Sequence, residues 1–479
     1  MKIITTLTCC LLLTWFSNCD NLNKPGKQKK EVSTNFITVK AAEHSNGNIY
    51  RKNNIFTVSD AGVSIEKYGA KANDNTFDNA PAIIKALKNN NLILIPSGKI
   101  FTIKSTIEVT GLNYRSIVAN GATIINRNYD ARTFLFINCS NIKITGGTYT
   151  RNVLPTRQNG KAQSTISFQS CKNVTVTRTH ITRSPEMGID NNIVIGGTYT
   201  YNKIDHCLRD GIYAHYSAEL NYIGNVLNEI KDDALSMHDY GLDNQKDMLH
   251  QAGYKQAGHS VISLNTITNC VQGISSIACD NIIISKNKIT NTAHAGICVF
   301  NSEDLFLNST ARVNNIRILN NILTHTGFTV NINTLIIKNT ALTASGRAAI
   351  FVACNWQGHD YNLSKMRSSF VEVSGNTIND CATNAATLYN IDGLILKDNN
   401  FTNCHSDTKN FPSFTGHIVE IKNCTSINVL RNNITDSRPQ VLHDSGYIIQ
   451  NTTGVFKKGI IKGFKEKDVL IDTFSKITQ

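Results

Sequence analysis

Proline is scarce in this chain, seven residues in 479, which excludes a disordered or linker-rich protein. Aromatic residues make up 8%, which argues against a recognition surface built on rows of exposed rings. None of the 13 cysteines forms a Cys-x-x-Cys pair, the spacing that a zinc site would use. No apolar run past the first 16 residues is long enough to cross a bilayer. Neither a glycine-rich phosphate loop nor a nucleic-acid-binding motif accompanies the net charge of +13. The basic residues are scattered except for Lys457, Lys458, Lys462, Lys465 and Lys467. The excess either attracts a polyanion or serves solubility.

What is present is Asn, Thr and Ile. Asn and Thr compete with the helix backbone through their own side chains, so the mixture suits short strands and tight turns. The N-terminus reads as an export signal: Lys2, then an apolar stretch from Ile3 to Phe16. Phe16-Ser17-Asn18-Cys19 resembles a bacterial lipobox and implies Cys19 as a lipidated first residue. Plain secretion with cleavage nearby is the other reading. Residues 1–19 are then a signal peptide and 20–58 a polar tether, and 59–479 form one domain. The expected location is the outer membrane or cell surface, reached through a lipid anchor, or else the periplasm or medium. Ten cysteines fall in the domain at wide, roughly repeating intervals, as stacked core positions would. Export permits disulfides, and spacing does not say which cysteines would pair.

Period-2 segments recur along the domain: Asn141-Ile-Lys-Ile-Thr, Asn173-Val-Thr-Val-Thr, Asn281-Ile-Ile-Ile-Ser, Asn315-Ile-Arg-Ile-Leu and Ser426-Ile-Asn-Val-Leu. Gly188-Ile, Gly211-Ile and Ala234-Leu begin equivalent strands at intervals of 23, as do Gly273-Ile and Gly296-Ile. The gap from 234 to 273 is 16 residues longer, which marks a loop inserted from about Tyr240 to Gly258. A repeat of this length suits a coil of three short strands, so the chain is an all-β parallel solenoid. The Leu-x-x-Leu-x-Leu pattern of a leucine-rich repeat is absent. Hydrogen bonding between stacked Asn side chains inside the solenoid is the expected role of the Asn-Ile and Asn-Val repeats. Near its start, Ala80, Ile83, Ile84 and Leu87 form one helical face, with Asp78 or Asn79 as the cap and Pro81 in the first turn. Such a helix closes the open end of a solenoid.

A family resemblance enters on particular residues. Tyr68-Gly69-Ala70-Lys71, Asp74, Phe77-Asp78, Ala82-Ile83, Ala86-Leu87 and Ile95-Pro96-Ser97-Gly98 resemble the opening segment of the pectate-lyase-like superfamily. The superfamily includes polygalacturonases, related glycoside hydrolases and phage depolymerases. With the coils, the resemblance spans roughly residues 59–450. It implies a right-handed parallel β-helix and leaves the reaction open.

Stacking the 23-residue coils superposes Met187, Asp210 and Asp233, and likewise Glu186, Arg209 and Asp232. In the strands that follow, Ile189, Ile212 and Leu235 point inward. Asp190, Asn192, Tyr213, His215, Ser236 and His238 point outward. With adjacent coils about 4.8 Å apart, Asp190, Asp210, Asp232, Asp233, Tyr213, His215 and His238 form one patch. Glycosidic cleavage needs a protonated carboxyl for the leaving oxygen and a carboxylate to activate water or attack. Neighbouring carboxylates raise one another's pKa and prepare one as the acid. Asp210-Gly-Ile followed by Asp232-Asp233 resembles the lone Asp and Asp pair of polygalacturonases. That resemblance implies inverting hydrolysis with Asp233 as acid and Asp210 and Asp232 on the water, roles that are open to exchange. The family's Gly-His-Gly is met only in part by Gly258-His259-Ser260, and its Arg-x-Lys by nothing, since that strand reads Gly273-Ile-Ser-Ser-Ile. Arg209, Lys231 and His259 join Asp190, Tyr213, His215 and His238 as candidate substrate contacts.

Three functions fit. A glycoside hydrolase needs no cofactor. A polysaccharide lyase or uronate epimerase would use Tyr213, His215, Lys231 or His238 as base, with calcium held by the acids. A non-catalytic carbohydrate-binding lipoprotein would need more outer aromatics than Tyr213, Phe300 and Trp356 provide. The expected partner is a polysaccharide, acidic or sulfated if the positive charge is used, and nucleic acid is excluded.

Overall fold

In the computed structural model, the described residues are 62–479 except 154, 156–162, 242–246, 306–308, 310, 333–339, 355–366, 408–409, 412–415, 439–444 and 465–466. The signal, the tether and Cys19 lie outside them. The domain is a right-handed parallel β-helix. Short strands recur three to a coil, and each pairs in parallel with its counterpart one coil on. One face is a 15-stranded parallel sheet running from Val63–Ser64 to Lys476–Thr478. The other two faces are joined into a 24-stranded sheet because Val226–His238 and Thr266–Ile277 run through the corner between them.

The register is the one the repeat predicts: Ile189 pairs with Ile212, Ile212 with Leu235, Leu235 with Ile274, and Ile274 with Ile297. All five are fully buried. They sit in one core of stacked Ile, Val and Leu with like-on-like aromatics, such as Phe136 on Phe168 at 5.2 Å between ring centroids. The ten domain cysteines are buried, several of them on this core. The helix Ala80–Asn89 buries Ala80, Ala82, Ile83, Ala86 and Leu87. Its first turn is capped by Asp78, whose Oδ1 accepts from Ala80 N at 3.1 Å, while Asn79 makes no capping bond. The insertion after His238 contains a short helix, Asp247–Gln251.

The structure corrects the role of the asparagines. Those of the Asn-Ile and Asn-Val repeats are not internal. Asn141, Asn173, Asn281 and Asn315 adopt left-handed φ of 47–55°, and their side chains meet in exposed contacts. The internal ladder is a different set, at the corner before the next strand: Asn202, Asn225, Asn265, Asn287, Asn321, Asn376, Asn399 and Asn432. Each is at most 2% exposed. Within it each Nδ2 donates to the next Asn Oδ1 at 2.9–3.0 Å. Each also donates to a strand carbonyl, as Asn287 does to Ile262 O at 3.0 Å. The period-2 pattern could not separate the sets, because asparagines of both kinds flank strands.

Asn287→Ala strands buried donors and acceptors on both neighbouring coils and is expected to cost at least about 3 kcal/mol. Asn141→Ala forfeits only a left-handed preference and exposed bonds, about 1 kcal/mol. Denaturant unfolding of the two variants checks the contrast.

Candidate active site

The candidate site lies on the outer side of the sheet that contains Ile189–Asn192, Ile212–His215 and the ends of Val226–His238 and Thr266–Ile277. Pairing puts Asp190, Tyr213, Ser236 and Ser275 in one outward row and Asn192, His215, His238 and Ile277 in the next. Each coil enters its strand through a tight turn. Gly211 N donates to Asp233 O at 3.1 Å, and Gly188 N to Asp210 O at 3.0 Å. A β-carbon on Gly211 would sit 2.5 Å from Ala234 O, so only glycine lets Asp210 stand this close to the next coil.

At the third turn the pattern changes. The register against Thr266–Ile277 slips by one between Ile230 and Asp233. Lys231 and Asp232 therefore share the place of a single residue, Val271, in a bulge that aims two consecutive carboxyls at the site.

The acids are held in a low-dielectric, crowded setting. Ser236 Oγ donates to Asp210 Oδ2, while Asp210 Oδ1 is buried with no hydrogen-bond partner. Gln272 Nε2 donates to Asp233 Oδ1 at 2.9 Å, and Gln272 Oε1 accepts from Arg347 Nη1 at 2.9 Å. His238 Nε2 is 3.5 Å from Asp233 Oδ2, and its Nδ1 is 2.9 Å from Tyr240 OH. Burial, then the neighbouring Asp232 and Asp233 charges, push Asp210 up to about 7. Burial and Asp233 do the same to Asp232, also to about 7. Glu186 is pushed up to about 7 by burial, although Arg209 lies 3.7 Å away. Asp190 is raised by burial against the pull of Arg132 and Arg209. His215 is held neutral, its pKa lowered to about 3 by burial.

Most of the sequence-predicted residues converge here. Asp190, Asp210, Asp233, Tyr213 and His238 are buried, so the patch is recessed rather than laid on the surface. Asp232, Lys231, Arg209 and His215 are partly buried. His215 stacks on Tyr216 at 3.9 Å between ring centroids, and Tyr213 meets His238 edge-on at 5.3 Å. His259 is not brought in. It stands in the 15-stranded sheet, 3.7 Å from Asp280, because its strand belongs to another face of the coil.

Sequence reasoning missed Gln272, Tyr240, Arg132 and Arg347. Gln272 precedes Gly273 as Asp233 precedes Ala234, so the coil register could have found it. Tyr240 and Arg347 come from insertions that carry no repeat signal. Four buried polar atoms near the acids lack partners: Glu186 Oε1, Asn192 Oδ1, Asp210 Oδ1 and His215 Nε2. Folded proteins seldom leave such groups unsatisfied without a function. Among the described residues no group of three or more His, Cys, Asp or Glu is arranged to hold a metal ion.

The fold and the recessed acids together define a right-handed parallel β-helix chain with a carboxyl-lined face. In sequence it matches no protein-family model and no curated protein. In structure it is similar to the tailspike protein of E. coli bacteriophage HK620, solved with a pentasaccharide. That match has TM-score 0.61 and 11% identity and covers 87% of this chain and 80% of that one. It is also similar to the catalytic domain of a GH87 α-1,3-glucanase in complex with tetrasaccharides. Here the TM-score is 0.52 with 13% identity, covering 85% of this chain and 67% of that one. At these identities the likeness establishes the fold.

The acid cluster makes stability depend on pH. Acids whose folded pKa lies above the unfolded value of roughly 4 support the fold at low pH, and that support is lost as pH rises through about 7. The melting temperature should fall between about pH 5 and about pH 8, a span that starts above the unfolded carboxyl value and passes through the raised folded one. Asp232→Asn should flatten that fall and melt higher at the alkaline end. Calorimetry at both pH values checks this, and an equally steep fall in the variant would refute it.

Proposed function

We propose that this protein is a polysaccharide-cleaving glycoside hydrolase whose acids are Asp210, Asp232 and Asp233. The observation that carries the reading is the group of carboxyls on adjacent coils, two of them held protonated up to neutral pH and one oxygen of Asp210 left without a partner. A hydrolase needs such an acid beside a second carboxyl. The likeness to two carbohydrate-complexed β-helix structures fits the same reading.

The shifts favour an exchange of the expected roles. Asp232 is raised and only partly buried, so it has both the proton and the access that a general acid needs. Asp233, positioned by Gln272 and Arg347 and facing His238, suits activation of water. Asp210, deeply buried and held by Ser236, stands as a third carboxyl beside them, its own pKa raised by burial and by Asp232 and Asp233. Export, with Cys19 as a lipid anchor, is the location we infer from the leader, and it would place the enzyme where polysaccharide is found.

The runner-up is a lyase or uronate epimerase. Arg132 and Arg209, both acting on the charge of Asp190, give it a basis for recognising an acidic or sulfated sugar. Calcium would belong to this reading alone.

Incubation with neutral, uronic and sulfated polysaccharides should release reducing ends without forming unsaturated uronate. Asp232→Asn and Asp233→Asn should each lose activity by about 100-fold or more, the scale of a general acid or base. Gln272→Ala, acting through Asp233, should lose less and shift the pH profile. Unsaturated product appearing with the reducing ends would replace hydrolysis by elimination.

A further inference from the structure

On the 15-stranded sheet, on a different face from the acids, an exposed ring interrupts a row of amides. Near the start of each strand the chain turns through a left-handed conformation, at Asn141, Asn173, Asn281, Asn315 and Ser426 among others. Phe370 holds the equivalent place with φ +32°. Asn and Gly adopt this conformation readily, whereas a β-carbon carrying a ring strains it. No core rewards the strain, since Phe370 is 37% exposed. Tyr114, Glu219 and His259 hold the same conformation on other coils, so what marks this place is the exposed ring together with what surrounds it.

Side chains from neighbouring coils meet around it. Asn281 Nδ2 lies 3.4 Å from His259 Nδ1, and Asn315 Nδ2 donates to Asn281 Oδ1. The amide chain then stops, because Phe370 has nothing to donate to Asn315. On the following coil stands Gly393, where a β-carbon would already touch the ring at 3.9 Å, so that flank of the ring carries no side chain. The result is a depression of 420 Å³ lined by Asn281, Ile283, Asn315, Arg317 and Phe370, within the range of roughly 300–1,000 Å³ that small-ligand sites occupy. Arg317 is fixed by Glu372, with Nε and Nη2 each 2.9 Å from Oε2, and Lys397 lies 3.2 Å from Oε1 of the same carboxylate.

We propose that this depression is a second carbohydrate-binding site, holding one sugar ring of the polymer at a distance from the acid cluster. A pyranose has apolar C–H faces and hydroxyl edges. The face would lie on Phe370, and the hydroxyls would bond the Asn281 and Asn315 amides and Arg317. An apolar peptide would offer those amides no hydrogen-bonding group. A phosphate would meet a guanidinium whose charge Glu372 already balances, whereas a neutral hydroxyl needs only a hydrogen-bonding group. The inference rests on the reading of the chain as polysaccharide-acting and deepens it: an extra hold on the chain raises the effective concentration of polymer at the acids.

The test uses Phe370→Asn, which continues the amide chain and suits the left-handed backbone, so it should melt no lower than the wild type. Arg317→Ala runs beside it. Retention on electrophoresis through polysaccharide-containing gels should show about tenfold weaker affinity for Phe370→Asn. KM for the polymer should rise by a similar factor, with kcat/KM on a short oligosaccharide unchanged. Wild-type retention by no polysaccharide, or equal retention of the variant, overturns the site even if the acid variants prove the hydrolase. Loss of retention in Phe370→Asn upholds the site even if no polymer is cleaved.

Discussion

The buried amide ladder from Asn202 to Asn432 is the constraint on which the rest depends. A parallel sheet is free to slip by whole residue pairs unless something specifies register. Each ladder asparagine bonds the next one and a strand carbonyl on a neighbouring coil, so a slipped coil would bury several unpaired polar atoms. The ladder also separates register from coil length. Its members are 23, 40, 22, 34, 55, 23 and 33 residues apart in sequence, yet each rung is bonded alike. Extra residues are therefore pushed out at other corners, where they are free to build a site.

Register in turn forces the acids together. With coils locked, Asp210 and Asp233 must occupy equivalent turns on successive coils, and the bulge at Lys231-Asp232 adds a second carboxyl. Tyr240 and Arg347, brought in by insertions, stand next to their partners His238 and Gln272. Left alone, such a cluster would loosen the fold at neutral pH. It persists because Arg209, Gln272 and Arg347 hold it and because the core on the other side of the strand is indifferent to it. Crowding and burial thus set up, from one arrangement, both the stability cost and the proton that a general acid needs.

Much of the fold was legible in the residues. The 23-residue spacing, the inward Ile189, Ile212 and Leu235, the inserted loop and the capping helix all follow from period and polarity, which short strands must obey to bury one face. Of the site, Asp190, Asp210, Asp232, Asp233, Tyr213, His215 and His238 were found by stacking coils in that register. The assignment failed at His259, where closeness to the predicted loop stood in for knowledge of the face. It also failed at the asparagines, where two sets with the same flanking pattern turn opposite ways.

The sequence by itself determined which residues share a coil position, because a periodic chain repeats its environment every turn. Only the tertiary structure decided what covers them, since Tyr240 and Arg347 come from insertions that obey no period. It alone decided the charge state of the acids, because desolvation depends on those covering residues. It alone revealed the strain at Phe370, because a backbone angle is set by the coils on either side and not by the residue that must adopt it.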